Sequence, residues 1–154
     1  MMRASFTMLL CCMACSSAFA AAEPQTDPAV QGSATVVNEL SERSKIPESE
    51  LNTLLADCNA SQQSMYFCAW RDQISADRTF KQALADKKQA HPECKAALET
   101  NVANWERLRD RSCDQSAKKQ YGEGSMAPTA RLLCVTTETT RKTKVLERSR
   151  GCRF

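Results

Sequence analysis

The sequence predicts an all-α fold, a disulfide-stapled antiparallel helical hairpin or bundle of three to four helices. Three observations point there. Glycine is scarce, at 4 residues, and β-branched apolar residues are few beside abundant Ala, Lys, Arg, Gln and Glu, a balance that favours helix over sheet. From Leu51 to Leu146 apolar residues recur at the three- and four-residue spacing of amphipathic helices. Cysteines lie where they can clamp two such helices together. At 154 residues, 42% hydrophobic and 25% charged, the chain suffices for one packed domain and not for two.

Met1 to Ala20 reads as a signal peptide. Arg3 supplies a positive start, Met8 to Ala18 an apolar run, and Ala18-Phe19-Ala20 the small-x-small pattern that signal peptidase cuts after. A cut after Ala22 fits equally well. The apolar run is too short for a lasting anchor, and no other segment is apolar enough to cross a membrane. Lipid anchoring at Cys15 is disfavoured, because Cys12-Met13-Ala14 is a poor lipobox. The expected destination is the periplasm or the exterior. Losing the leader removes Arg3 from 21 basic residues against 18 acidic ones, leaving a net charge of +2. It also leaves Cys58, Cys68, Cys94, Cys113, Cys134 and Cys152. An even set in a small exported domain reads as a disulfide framework. No C-x-x-C pair occurs among the six and the only histidine is His91, so no metal site and no cofactor are expected.

Residues 21–46 read as a flexible tether. Pro24, Pro28 and Gly32 interrupt them, with at most a short helical piece at Ala34 to Leu40. The helical domain is expected over 47–154. Pro47 opens a short helix carrying Leu51, Leu54 and Leu55 and ending near Asp57. Ser61 or Ser64 caps the next, whose apolar positions are Met65, Ala69, Ala76, Phe80, Ala83 and Leu84. It ends near Gln89, because Pro92 disfavours helical geometry at His91. Pro92 and Glu93 start a third helix, running to about Lys119 with Leu98, Val102, Trp105 and Leu108 as its buried stripe and Trp105 as core anchor. Gly122 and Gly124 break the chain between Tyr121 and Pro128. A fourth helix begins near Pro128 or Thr129, continues through Leu132, Leu133, Val135, Val145 and Leu146, and stops at Gly151. Thr136, Thr137, Thr139 and Thr140 make its middle a weak helix former.

In an antiparallel helix pair, facing positions have residue numbers that add to a nearly constant total. Cys113 with Cys134 and Cys94 with Cys152 meet that condition, and either arm rises roughly 27–29 Å at the usual helical pitch. Cys58 and Cys68 then remain to join the second helix to the segment before it. Six cysteines allow many other connectivities, so the pairing is an expectation.

No nucleophile–base pair stands out, and no catalytic residue is expected. His91 reads as a surface or capping residue. Asp110 and Asp114 stand four apart among Arg107, Arg109 and Arg111, which suits a solvated ion-pair network better than acid–base work. Charge is uneven. Glu23 to Asp57 carries seven acids and two bases, and Arg131 to Phe154 seven bases and two acids. The basic last helix reads as a solvated face or a surface for an acidic partner. Nucleic acid is not expected, given export and the lack of interleaved aromatics. Gly122-Glu123-Gly124-Ser125 has two readings, a connection whose glycines serve backbone geometry, or a stiff loop presented to a partner.

At these residues the chain resembles the LprI-like lysozyme-inhibitor family of small exported bacterial proteins. The resemblance spans about Asp57 to Leu146. It rests on Asp57-Cys58, Met65 with Cys68-Ala69, Ala76-Asp77, the run Trp105-x-x-x-Arg109-Asp110-x-x-Cys113, Gly124-Ser125 and Cys134. Departures are Phe80-Lys81 where the family has Leu-Asn, Leu84 for an aromatic, Val102 for Gln, a Glu splitting the Gly-Gly-Ser run, and the added Cys94 and Cys152. The resemblance implies a helical, disulfide-stapled protein that inhibits a lysozyme or peptidoglycan hydrolase by binding it. Lysozymes carry two carboxyl groups in a cleft. Gly122, Glu123, Gly124 and Ser125, with Arg131 as a nearby base, are the expected contact residues. Trp105, Arg109, Asp110 and the cysteines are expected to hold the fold. Two alternatives remain: an immunity protein against a wall-degrading toxin, and a non-catalytic envelope adaptor. A net charge of +2 gives no general attraction to basic lysozymes.

Overall fold

Proline and serine set the helix starts. Pro47 stands immediately before α2 (Glu48–Ala56), where its missing N–H costs nothing. The Ser61 hydroxyl accepts from the Ser64 N–H at 2.9 Å and caps α3 (Gln62–Ala90). Pro92 opens a single 3₁₀ turn, Pro92–Cys94, which leads into α4 (Lys95–Tyr121). The computed structural model describes residues 28–152, with side chains from Thr35 onward, so the leader and its cysteines lie outside the described residues. Two further helices complete the described residues, α1 (Pro28–Ser44) and α5 (Ala127–Arg148). The fold is all-α, and the described residues contain no strand.

The tether reading fails from Pro28 to Ser44. That stretch is one helix, and Val36, Val37 and Leu40 of α1 are buried against Leu51 of α2 and Phe67 and Ile74 of α3. Burying a side chain of this size stabilises by about 1.5–3 kcal/mol, enough to order a segment of modest helix propensity. Arg78 fastens α1 from outside, donating to Glu39 at 2.6 Å and to the Thr35 hydroxyl at 2.7 Å.

α3 runs through two clusters. The first joins it to α1 and α2, with Tyr66 and Trp70 packed alongside. The second gathers Phe80, Leu98, Val102, Leu146 and Cys94, and Trp105 meets the Phe80 ring at 5.0 Å. All three cysteine pairs expected from the sequence are joined, Cys58–Cys68, Cys94–Cys152 and Cys113–Cys134.

Two expectations need correction. Leu108 is 55% exposed, and the place expected for it inside is taken by the side chain of Arg109, only 8% exposed. Trp105 is half-buried and lies at the margin of its cluster. The antiparallel pair of α4 and α5 is present, yet α5 packs more extensively on α3. Gln62 lies near Pro128 at one end, and Lys87 donates to the Ser149 carbonyl at the other, so α3 and α5 run parallel. The threonines explain the closeness of α5 to its neighbours. Thr139 and Thr143 are buried, and Thr136 and Thr143 satisfy their hydroxyls on the carbonyls of Leu132 and Thr139.

Candidate functional site

The connection between α4 and α5 closes through its own backbone. Gly122 caps α4 at φ +59°, its N–H bonded to the Lys118 carbonyl at 2.8 Å. The Gly124 N–H then bonds to the Tyr121 carbonyl at 3.0 Å, and the Ala127 N–H to the Gly124 carbonyl at 2.9 Å. Both glycines are required. Gly122 holds a left-handed φ, and a Cβ at Gly124 would stand 2.9 Å from the Tyr121 oxygen. Cys113–Cys134 crosslinks the two helices below the turn, with Cα atoms 5.6 Å apart and Cys113 fully buried.

What the turn exposes is small and polar. Glu123 is 89% exposed and pairs loosely with Lys118 at 3.6 Å. Ser125 is exposed beside it. Both line a 340 Å³ depression with Gly122, Gly124, Pro128 and Arg131. The five residues singled out from sequence therefore meet in one place. Arg131 differs from expectation in one respect, since its guanidinium is held by Asp114 across the α4–α5 seam. It braces the base of the turn through Nε, while the side chain stays 39% exposed beside Ser125.

Sequence reading missed the other side of this turn. A second depression, of 480 Å³, is lined by Gln62, Gln63 and Tyr66 of α3 together with Ser125 and Pro128. Nothing in the local sequence signals this, because it follows from the parallel course of α3 and α5.

The family-like run on α4 forms a separate cluster in the middle of the bundle. Arg109 donates to Thr139 of α5 at 2.8 Å and to Asp110 at 2.9 Å, stands 3.5 Å from Asp77 of α3, and lies 4.9 Å above the Trp105 ring. Gln73 donates to Asp77 from one turn before it. Burial raises the Asp77 pKa from its ordinary value, and the attraction of Arg109 only partly offsets it. Lys142, also over the Trp105 ring, has its pKa lowered by burial and by Arg141. One guanidinium thus links three helices, which is a structural task.

A groove of 490 Å³ also runs between α3 and α5, its lining including Asp72, Ser75, Thr79, Thr136, Thr140 and Lys144. Thr79 and Thr136 turn their hydroxyls back to helix carbonyls. His91 sits at the α3–α4 junction, its Nδ1 3.4 Å from Glu93. Among the described residues no three His, Cys, Asp or Glu side chains are placed to hold a metal ion, and no helix is long and apolar enough to cross a membrane.

Neither a curated protein nor a solved structure matches the chain. The sequence profile of the family described as Lysozyme inhibitor LprI matches residues 56–146, which is more than half of the chain and takes in α3, α4, the turn and most of α5. With that match, the Trp105–Arg109–Asp110 run packed between helices and the Cys58–Cys68 and Cys113–Cys134 bridges in place, the chain belongs to the LprI lysozyme-inhibitor family.

Proposed function

We propose that the protein is exported and inhibits a lysozyme or related peptidoglycan hydrolase by placing its α4–α5 turn in the substrate cleft. The observation that carries this reading is the turn itself. Residues 122–125 are exposed at the end of the bundle, closed by three backbone hydrogen bonds, and seated on a disulfide whose Cys113 is fully buried. A loop ordered before binding loses little conformational entropy on binding. The Ser125 hydroxyl can donate a short hydrogen bond to a carboxylate, and the cleft of a lysozyme holds two carboxyl groups. Membership of an inhibitor family supports the choice of partner. It also favours a binding protein over an enzyme. Three disulfides fit an oxidising compartment, and Ala18-Phe19-Ala20 supplies a cleavage site for reaching it.

The experiment is a titration of the purified, oxidised domain against a panel of animal and phage lysozymes, following lysis of peptidoglycan. Stoichiometric loss of activity on at least one enzyme, weakened in the Ser125→Ala variant, is the expected result. Full lytic activity at saturating protein across the panel would overturn the reading.

A further inference from the structure

The turn is a ridge between two hollows. Ser125 and Pro128 border both the 340 Å³ depression on the α4 side and the 480 Å³ depression on the α3 side. We propose that the partner-binding face crosses this ridge onto the first turn of α3, where Gln62, Gln63 and Tyr66 contact the same partner as Ser125. This rests on the inhibitor reading above and extends its site to residues outside the turn.

Size is the first argument. A stable protein complex buries about 800 Å² on each partner, more than a four-residue tip supplies. The two hollows that share Ser125 and Pro128 carry the tip's surface from Lys118 to Gln62. Rigidity is the second. The start of α3 is fixed in the same manner as the turn, by the Ser61 cap and by Cys58–Cys68, whose Cα atoms lie 5.8 Å apart. Two of the three disulfides therefore brace this one face, and both of its sides are ordered before any partner arrives.

Chemistry is the third. Gln62 and Gln63 are exposed, and each side-chain amide carries two N–H donors. They occupy the first turn of a 29-residue helix, where the dipole favours negative charge. The N-terminal end of α5 lies beside it because the two helices run parallel. Across the ridge Lys118 pairs loosely with Glu123, so the α3 side, with its amide donors and helix start, is the side better suited to a carboxyl group of a saccharide cleft. Tyr66 gives the hollow an aromatic wall. Its ring packs on Phe67 at 5.3 Å and Trp70 at 5.8 Å, so it is held in place.

The test compares Gln62→Ala/Gln63→Ala, Tyr66→Phe and Ser125→Ala in the full disulfide-bonded domain, reading Kd by calorimetry against whichever lysozyme the wild type inhibits. The glutamine pair is expected to weaken binding about tenfold with the thermal midpoint unchanged, and Tyr66→Phe, which keeps the aromatic wall, to bind within about twofold of wild type. If Ser125→Ala loses affinity while the glutamine pair binds within about twofold of wild type, the wider face is wrong and the inhibitor reading survives. If the wild type binds no lysozyme, both fall together.

Discussion

Arg109 Nη1 donates to Thr139 Oγ1 at 2.8 Å, and through this bond a cation on α4 is closed in between α3 and α5. Thr139 is fully buried and Arg109 nearly so. Removing the hydroxyl leaves a buried donor without its acceptor, so Thr139→Val should lower unfolding free energy by about 1–3 kcal/mol. Arg109→Ala leaves Asp77 with Gln73 as its partner, removes the bond to Thr139 and empties the space above Trp105, with an expected loss of about 1–3 kcal/mol. Urea unfolding of the two single variants and the double should give a coupling energy well above zero.

Gly122 stands at φ +59° and ψ −135°, a region almost closed to residues with a Cβ. Gly122→Ala should cost about 1–3 kcal/mol. The strain falls on the turn, so hydrogen exchange at Gly124 and Ala127 should accelerate before that of the α3 core.

Loss of the bridge below the turn has two separable effects. The Cys113→Ala/Cys134→Ala variant should lose about 2–4 kcal/mol, since the unfolded chain regains the freedom of that loop. On the inhibitor reading it should also bind its target more weakly at temperatures where the domain is still folded. Calorimetry well below the unfolding midpoint separates the two.

Asp77 sets an unusual acid response. Its pKa is raised in the fold by burial, so between its unfolded and folded values the native state holds more proton than the unfolded chain. Its contribution is fully present below the ordinary carboxylate value and is lost as pH rises through the folded value. On acidification from neutrality, wild type should therefore gain stability relative to Asp77→Asn. Paired urea titrations at pH 7 and in the range of the raised carboxylate give the sign directly.

Helix starts, the turn and the sulfur pairing were legible because each depends on local chemistry: Pro47, Ser61, Pro92, two glycines and a constant-total rule for facing cysteines. The docking of α1 was not. Its Pro28 and Gly32 read as linker residues, and only the surface offered by Leu51, Phe67 and Ile74 gives Val36, Val37 and Leu40 somewhere to go. Leu108 and Arg109 exchanged their expected places for a similar reason. Hydropathy puts a leucine inside and an arginine outside, whereas here Asp77, Asp110 and Thr139 come from three helices to satisfy the guanidinium. The turn residues gathered as expected, but the hollow at Gln62 and Gln63 depends on which helix α5 lies against, and no motif in either segment encodes that.

The bridges Cys94–Cys152 and Cys113–Cys134 both span the tip between α4 and α5. A protease that severs the chain at Glu123 or Gly124 thus produces two fragments still fastened at both extremities of their shared seam. Such a nicked molecule comes apart into two pieces only when a reductant has opened both bridges.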